Sequence, residues 1–124
     1  YATAFEVIEQ AWEEGTDLLF DIDYQGARQL KEHFPGSTGV LVVPPDMATL
    51  EQRLRGRGSE SEASFARRMD NARQELAQYG LFDYIVENDD FDDAVEVLEA
   101  VYVAARHRRE LCTQQLDELI GSDT

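Results

Sequence analysis

The chain has 124 residues, 43% hydrophobic and 30% charged, with 8 Gly and 3 Pro, a composition that fits one globular domain and excludes a disordered, collagen-like or low-complexity chain. Its 26 acidic against 11 basic residues give a net charge of −15, so its long-range field repels nucleic acids and anionic membranes. No apolar run approaches the roughly 20 residues of a membrane span, and the single Cys112 has no partner cysteine for a disulfide or shared metal, which suits a cytoplasmic, reducing setting.

Chain order gives an alternation of helices and strands. Thr3 and Glu6 stand at capping-box spacing ahead of Phe5, Ile8, Ala11 and Trp12, which predicts a helix over 4–14 stopped by Gly15. Leu18-Leu19-Phe20-Asp21-Ile22-Asp23 and Gly39-Val40-Leu41-Val42-Val43-Pro44-Pro45 read as buried parallel strands, apolar on both faces, with a helix over 25–33 between them. Asp46 caps a helix through Met47, Leu50 and Leu54 that stops at Arg55-Gly56-Arg57-Gly58. Ser59 and Glu62 offer a second capping box for a helix carrying Phe65, Met69, Ala72 and Leu76 toward Tyr79. A third strand is predicted at 84–88. After it, Asp90 caps the longest helix, whose stripe is Phe91, Ala94, Leu98, Val101, Tyr102 and Ala105, and residues 110–124 read as a helical extension or a frayed tail. Such alternation implies right-handed crossovers and a parallel α/β sheet. Three strands are few for that architecture, and a chain opening at Tyr1 with neither Met nor a signal pattern reads as a piece of something longer.

Positive charge is concentrated in one window. Of ten arginines, six (Arg53, Arg55, Arg57, Arg67, Arg68 and Arg73) fall between 53 and 73, against only Glu60, Glu62 and Asp70. Two solvated helix faces would account for the pattern. The identity of the residues argues for an anion site, because the chain has a single lysine, Lys31, whereas Arg has the planar fork that binds phosphate bidentately. Gly56 and Gly58 flank Arg57 as a hinge between two helices, so the cluster is placed to close over a polyphosphate as a lid.

Asp21 and Asp23, two apart at a predicted strand end, share one side, and ligands in open α/β sheets gather at such ends. A carboxylate there binds magnesium directly or through water, or accepts from a base or ribose; the plainer reading is that Asp23 only caps the next helix. His33 and His107 lack a ligand pattern, Ser59, Ser61 and Ser64 lack a nucleophile elbow, and no Gly-x-x-x-x-Gly-Lys-Ser/Thr occurs, since Lys31 lies between Leu30 and Glu32.

Five stretches carry a resemblance to the bacterial guanylate kinase family: Tyr1-Ala2-Thr3, Leu19-Phe20-Asp21-Ile22-Asp23-Tyr24-Gln25-Gly26-Ala27, Leu54-Arg55-Gly56-Arg57-Gly58-Ser59-Glu60, Ala66-Arg67-Arg68, and Asp83-Tyr84-Ile85-Val86-Glu87-Asn88-Asp89-Asp90. Their order and spacing resemble that family up to about Arg109. The resemblance implies an α/β, parallel-sheet core of the P-loop nucleoside-monophosphate-kinase type with a helical lid, incomplete at its N-terminus. It divides the single domain into residues 1–52, the end of the GMP-binding segment and core; 53–73, the arginine-rich lid; 74–109, core; and 110–124, a C-terminal extension.

The implied activity is transfer of the γ-phosphoryl of ATP to GMP with Mg2+. By match, Tyr1 touches the GMP phosphate, Thr3 the guanine and Asp23 the guanine side, while Asp21 serves the magnesium. Arg53, Arg57 and Arg68 serve the ATP phosphates and the transferred group, with Arg73 a further phosphate contact and Asn88 near the adenine. Ala2 stands where the family usually has Gly. The phosphate cradle and most of the GMP-binding segment would lie upstream of Tyr1, so the 124 residues alone are expected to be inactive. The competing function is a non-catalytic module that binds phosphorylated peptides, as in related guanylate-kinase-like domains; the retained lid arginines favour the enzyme.

Overall fold

The computed structural model describes residues 2–56 and 61–121, with the side chains of 2–4, 109 and 110 outside the description. Tyr1, Arg57, Gly58 and Ser59, all named above, lie outside the described residues. Among the described residues, six helices and two strands follow one another as α1 (Ala2–Glu14), α2 (Tyr24–His33), β1 (Val40–Val43), α3 (Met47–Arg55), α4 (Glu62–Ala77), a 3₁₀ turn at Tyr79–Leu81, β2 (Tyr84–Glu87), α5 (Phe91–Arg106) and α6 (Arg109–Leu119).

α1 begins at Ala2, so Thr3 is its second residue rather than the position before its start; alanines at 2 and 4 favour continuing the helix backward. Its end is as expected. Gly15 takes φ 72°, Gly15 N–H bonds Trp12 C=O at 3.2 Å, and Thr16 N–H bonds Ala11 C=O at 2.8 Å, the paired bonds of a Schellman stop. Phe5 stacks on His33 with centroids 4.1 Å apart and meets Phe34 edge-on, joining α1 to the end of α2.

The sheet among the described residues has two parallel strands, not three, with β1 and β2 in the register Val40 with Tyr84 through Val43 with Glu87. Residues 16–23 are not a strand. A strand exists only by pairing, and no ladder partner reaches this run among the described residues, so its apolar side chains stay open; Leu19 is 89% exposed.

α3 and α5 are capped as expected, Asp46 Oδ1 accepting from Thr49 N–H at 2.7 Å and Asp90 Oδ1 from Asp93 N–H at 3.0 Å. α4 is capped by Ser61, whose Oγ accepts from Ser64 N–H at 3.2 Å, rather than by Ser59. α5 is no longer than α4, both having 16 residues. Its stripe is buried at Ala94 and half-buried at Leu98, Val101 and Ala105, but Phe91 and Tyr102 are exposed.

The buried apolar core comprises Ala11, Leu41, Met69, Val86 and Ala94. The accessible surface is 9560 Å², against roughly 6,700 Å² for a compact protein of this mass. Much apolar surface that a closed α/β fold would bury therefore faces solvent, Trp12 included.

Candidate functional site

Chain direction decides where a site can form. Both strands point the same way, so Val43 and Glu87 end together and the segments leaving them, Pro44–Asp46 and Asn88–Asp90, share one edge of the sheet. Asn88 is tied there, its backbone N–H bonding Val43 C=O at 2.7 Å, and its side chain is half-buried. That edge is where open α/β sheets bind ligands. Asp46 stands on it with its carboxyl held below the ordinary carboxylate value, chiefly by the Thr49 backbone N–H, then the Thr49 hydroxyl, with Arg53 adding its charge.

α3 leaves this edge and runs beside α4, and the two carry Arg53, Arg55, Arg67, Arg68 and Arg73. Arg53, Arg67 and Arg73 are exposed and Arg68 half-buried. Gly56, expected as half of a hinge, has φ −73° and needs none of glycine's special freedom. The expected boundaries at 53 and 73 fall inside α3 and α4.

Asp23 is the N-cap of α2, its Oδ1 accepting from Gly26 N–H at 2.8 Å, so the capping role is present. Gly26 is buried in that turn because a side chain there would press on Ile22 and on Asp23 Oδ1, at 3.3 and 3.4 Å. The cap uses one lone pair of a carboxylate that has about four acceptor positions, so Asp23 keeps capacity for a ligand. Asp21 is exposed and makes no hydrogen bond or ion pair among the described residues. No hydrogen bond or ion pair joins the side chains of Asp21, Asp23, Arg53, Arg73 and Asn88 to one another, and no group of three or more His, Cys, Asp or Glu side chains among the described residues stands ready for a metal. A hard carboxylate oxygen such as that of Asp21 nevertheless suits magnesium, which takes one or two protein carboxylates and fills its sphere with water and phosphate.

Three sets of contacts escaped the sequence reading. Lys31 Nζ donates to Ser37 C=O at 2.6 Å and to Asp83 Oδ2 at 3.1 Å, and the same Asp83 oxygen accepts from Gly39 N–H at 2.8 Å, so α2 and the entries to both strands meet at one clasp. Partial burial pushes the Asp83 carboxyl up, but the Gly39 N–H, the Lys31 bond and charge, and the charge of Arg108 outweigh it and hold the group below its ordinary value. Tyr102 Oη donates to Asp17 Oδ2 at 2.7 Å, and Arg106 Nε stands 3.3 Å from the same oxygen, fixing the segment after α1 to α5. That hydrogen bond to Asp17 raises the Tyr102 phenol. Arg55 lies over the Phe65 ring, 3.8 Å from its centroid, and pairs with Glu51 and Glu62. Partners 52 and 85 residues apart leave no local signal to read.

Two parallel strands, helices capped at their C-terminal edge and an arginine-bearing helix pair leaving it define an α/β arrangement. Comparison with known sequences narrows this. The model of the guanylate kinase family matches residues 1–105. Guanylate kinases of Salmonella typhi and Escherichia coli strain K12 are 42% and 41% identical to the chain over 121 residues, 98% of it and 58% of each relative. That of Idiomarina loihiensis is 41% identical over 125 residues, 98% of the chain and 60% of the relative. The chain belongs to the guanylate kinase family, and it spans under two thirds of the length of these relatives.

Proposed function

We propose that the chain supplies the arginine lid and C-terminal core of an enzyme that transfers the γ-phosphoryl of ATP to GMP, giving ADP and GDP, in the cytoplasm. The observation that carries this reading is the family match through residue 105, which takes in both the arginine-bearing helices and the strand-end edge. Phosphoryl transfer asks the protein to align two nucleotides and to neutralise charge, rather than to form bonds of its own. Arg53, Arg57 and Arg68 are the cations for the ATP phosphates and the transferred group, and Arg73 is a further phosphate contact. Tyr1, Ala2 and Thr3 approach GMP from the start of the chain, and Asp23 accepts from guanine with the oxygen capacity its cap leaves open. Asn88 lies on the adenine side. Asp21 would hold magnesium, directly or through water, and the metal supplies charge neutralisation on the phosphates.

The test is a coupled assay for ADP release with the kinase-length protein carrying this chain, run with GMP and, separately, AMP, UMP and CMP. GMP-selective ADP release supports the reading; its absence with all four refutes it. The 124-residue chain alone is expected to show no transfer, because its sequence has no Gly-rich cradle and lysine for the β- and γ-phosphates.

A further inference from the structure

Arg55 differs from Arg53, Arg67 and Arg73 in what surrounds it. Its Nε stands 3.4 Å from Glu51 Oε1 on its own helix, its Nη1 stands 3.2 Å from Glu62 Oε1 on the next helix, and its guanidinium carbon lies 3.8 Å from the centroid of the Phe65 ring on α4. Arg53, Arg67 and Arg73 make no hydrogen bond or ion pair among the described residues. A phosphate arriving at Arg55 would have to displace two carboxylates.

The interface that Arg55 spans is loosely filled. α3 has no buried residue, and a groove of about 310 Å³ lined by Glu51, Glu62, Phe65, Ala66, Met69 and Arg73 lies against α4. Where apolar packing leaves such slack, the spacing of two helices rests on whatever bridges them. A planar guanidinium suits the task, because its fork takes two carboxylates in one plane while its face covers an aromatic ring.

We propose that Arg55 is a positioning residue that staples α3 to α4 and so sets where Arg53 stands relative to Arg68 and Arg73. This rests on the kinase reading only for its consequence; the staple itself is a matter of geometry. Its charge is committed to Glu51 and Glu62, and its effect on transfer runs through the neighbouring arginines. Small misplacements of charged groups around a moving phosphoryl are costly to rate, whereas GMP is held by other elements.

The test is reciprocal charge reversal. In the kinase-length protein, Arg55→Glu is expected to lower kcat roughly tenfold with KM for GMP within about twofold, and Arg55→Glu with Glu62→Arg to recover most of the loss. An unchanged kcat in the single variant, no recovery in the double, or a rise in KM for ATP as the main effect would overturn the proposal, the last by making Arg55 itself a phosphate ligand. A second arm uses the kinase-length protein with Cys112→Ser, its other cysteines replaced, and spin labels at Gln52→Cys and Gln74→Cys. The label distance distribution is expected to broaden with Arg55→Glu and to narrow again with Glu62→Arg, and an unaltered distribution would overturn the staple. If the kinase-length protein transfers no phosphoryl to GMP, the kinase reading falls and the distance arm alone decides the staple.

Discussion

The corner formed by β1, β2 and α5 and the pair formed by α3 and α4 are held by different means. In the corner, two strands share a backbone ladder, Leu41, Val86 and Ala94 are buried, and Val86 is 2% exposed. In the helix pair, Met69 is the buried apolar residue among those described, and the Arg55 cluster links the two helices. Backbone pairing and burial fix the first cooperatively; exposed ion pairs hold the second, and such pairs are individually weak. On the proposed kinase reading, the arginines assigned to the phosphates sit on the part held by the weaker interactions.

The most damaging single change should fall in the corner. Leu41→Ala is expected to cost about 2–4 kcal/mol, since it truncates a buried side chain of the strand pair and leaves a cavity there; urea unfolding monitored by circular dichroism measures it. A cost below about 1 kcal/mol would mean that the corner is no better packed than the helix pair. Asp90→Ala removes the cap of α5 and should cost about 1 kcal/mol in the same assay.

Acid sensitivity probes the clasp at the entry to the corner. The Asp83 carboxyl is depressed in the folded chain, so its contribution is present above its ordinary value of 3.8 and is lost as pH falls through the lower folded value. Asp83→Asn should therefore lower stability at neutral pH by roughly 0.5–1 kcal/mol and flatten the decline below that point. Unfolding midpoints between pH 2.5 and 7 check both effects, and an equal decline in the two proteins would remove Asp83 from the account. The smallest effect is expected at Leu19, 89% exposed: Leu19→Ala in this chain should stay within about 0.5 kcal/mol.

Leu19 also marks where sequence reading ends. Leu18–Asp23 and Val40–Val43 look alike as strings, both short, apolar and bounded by acids or prolines, and both were predicted as strands. Val40–Val43 finds its ladder in Tyr84–Glu87, and the other finds none among the described residues. Pairing is a property of neighbours that a local pattern does not contain. Local chemistry was readable: the caps at Asp23, Asp46 and Asp90 and the stop at Gly15 stand where the residue types require them. The arginine window was equally visible as a concentration of charge. The distinction within it was not, because Arg55 owes its surroundings to Phe65 and Glu62 on the following helix.

Whether those arginines form a site or two solvated faces is decided most directly at adjacent positions of α4, where Arg67 is exposed and Arg68 half-buried. The measurement is kcat of Arg67→Ala and Arg68→Ala in the kinase-length protein, with GMP affinity followed by calorimetry. Loss of a preorganised cation should lower kcat roughly 10²-fold for Arg68→Ala, while Arg67→Ala stays within about threefold and GMP affinity holds in both. Equal, small effects of the two substitutions would show solvated helix faces and contradict the site.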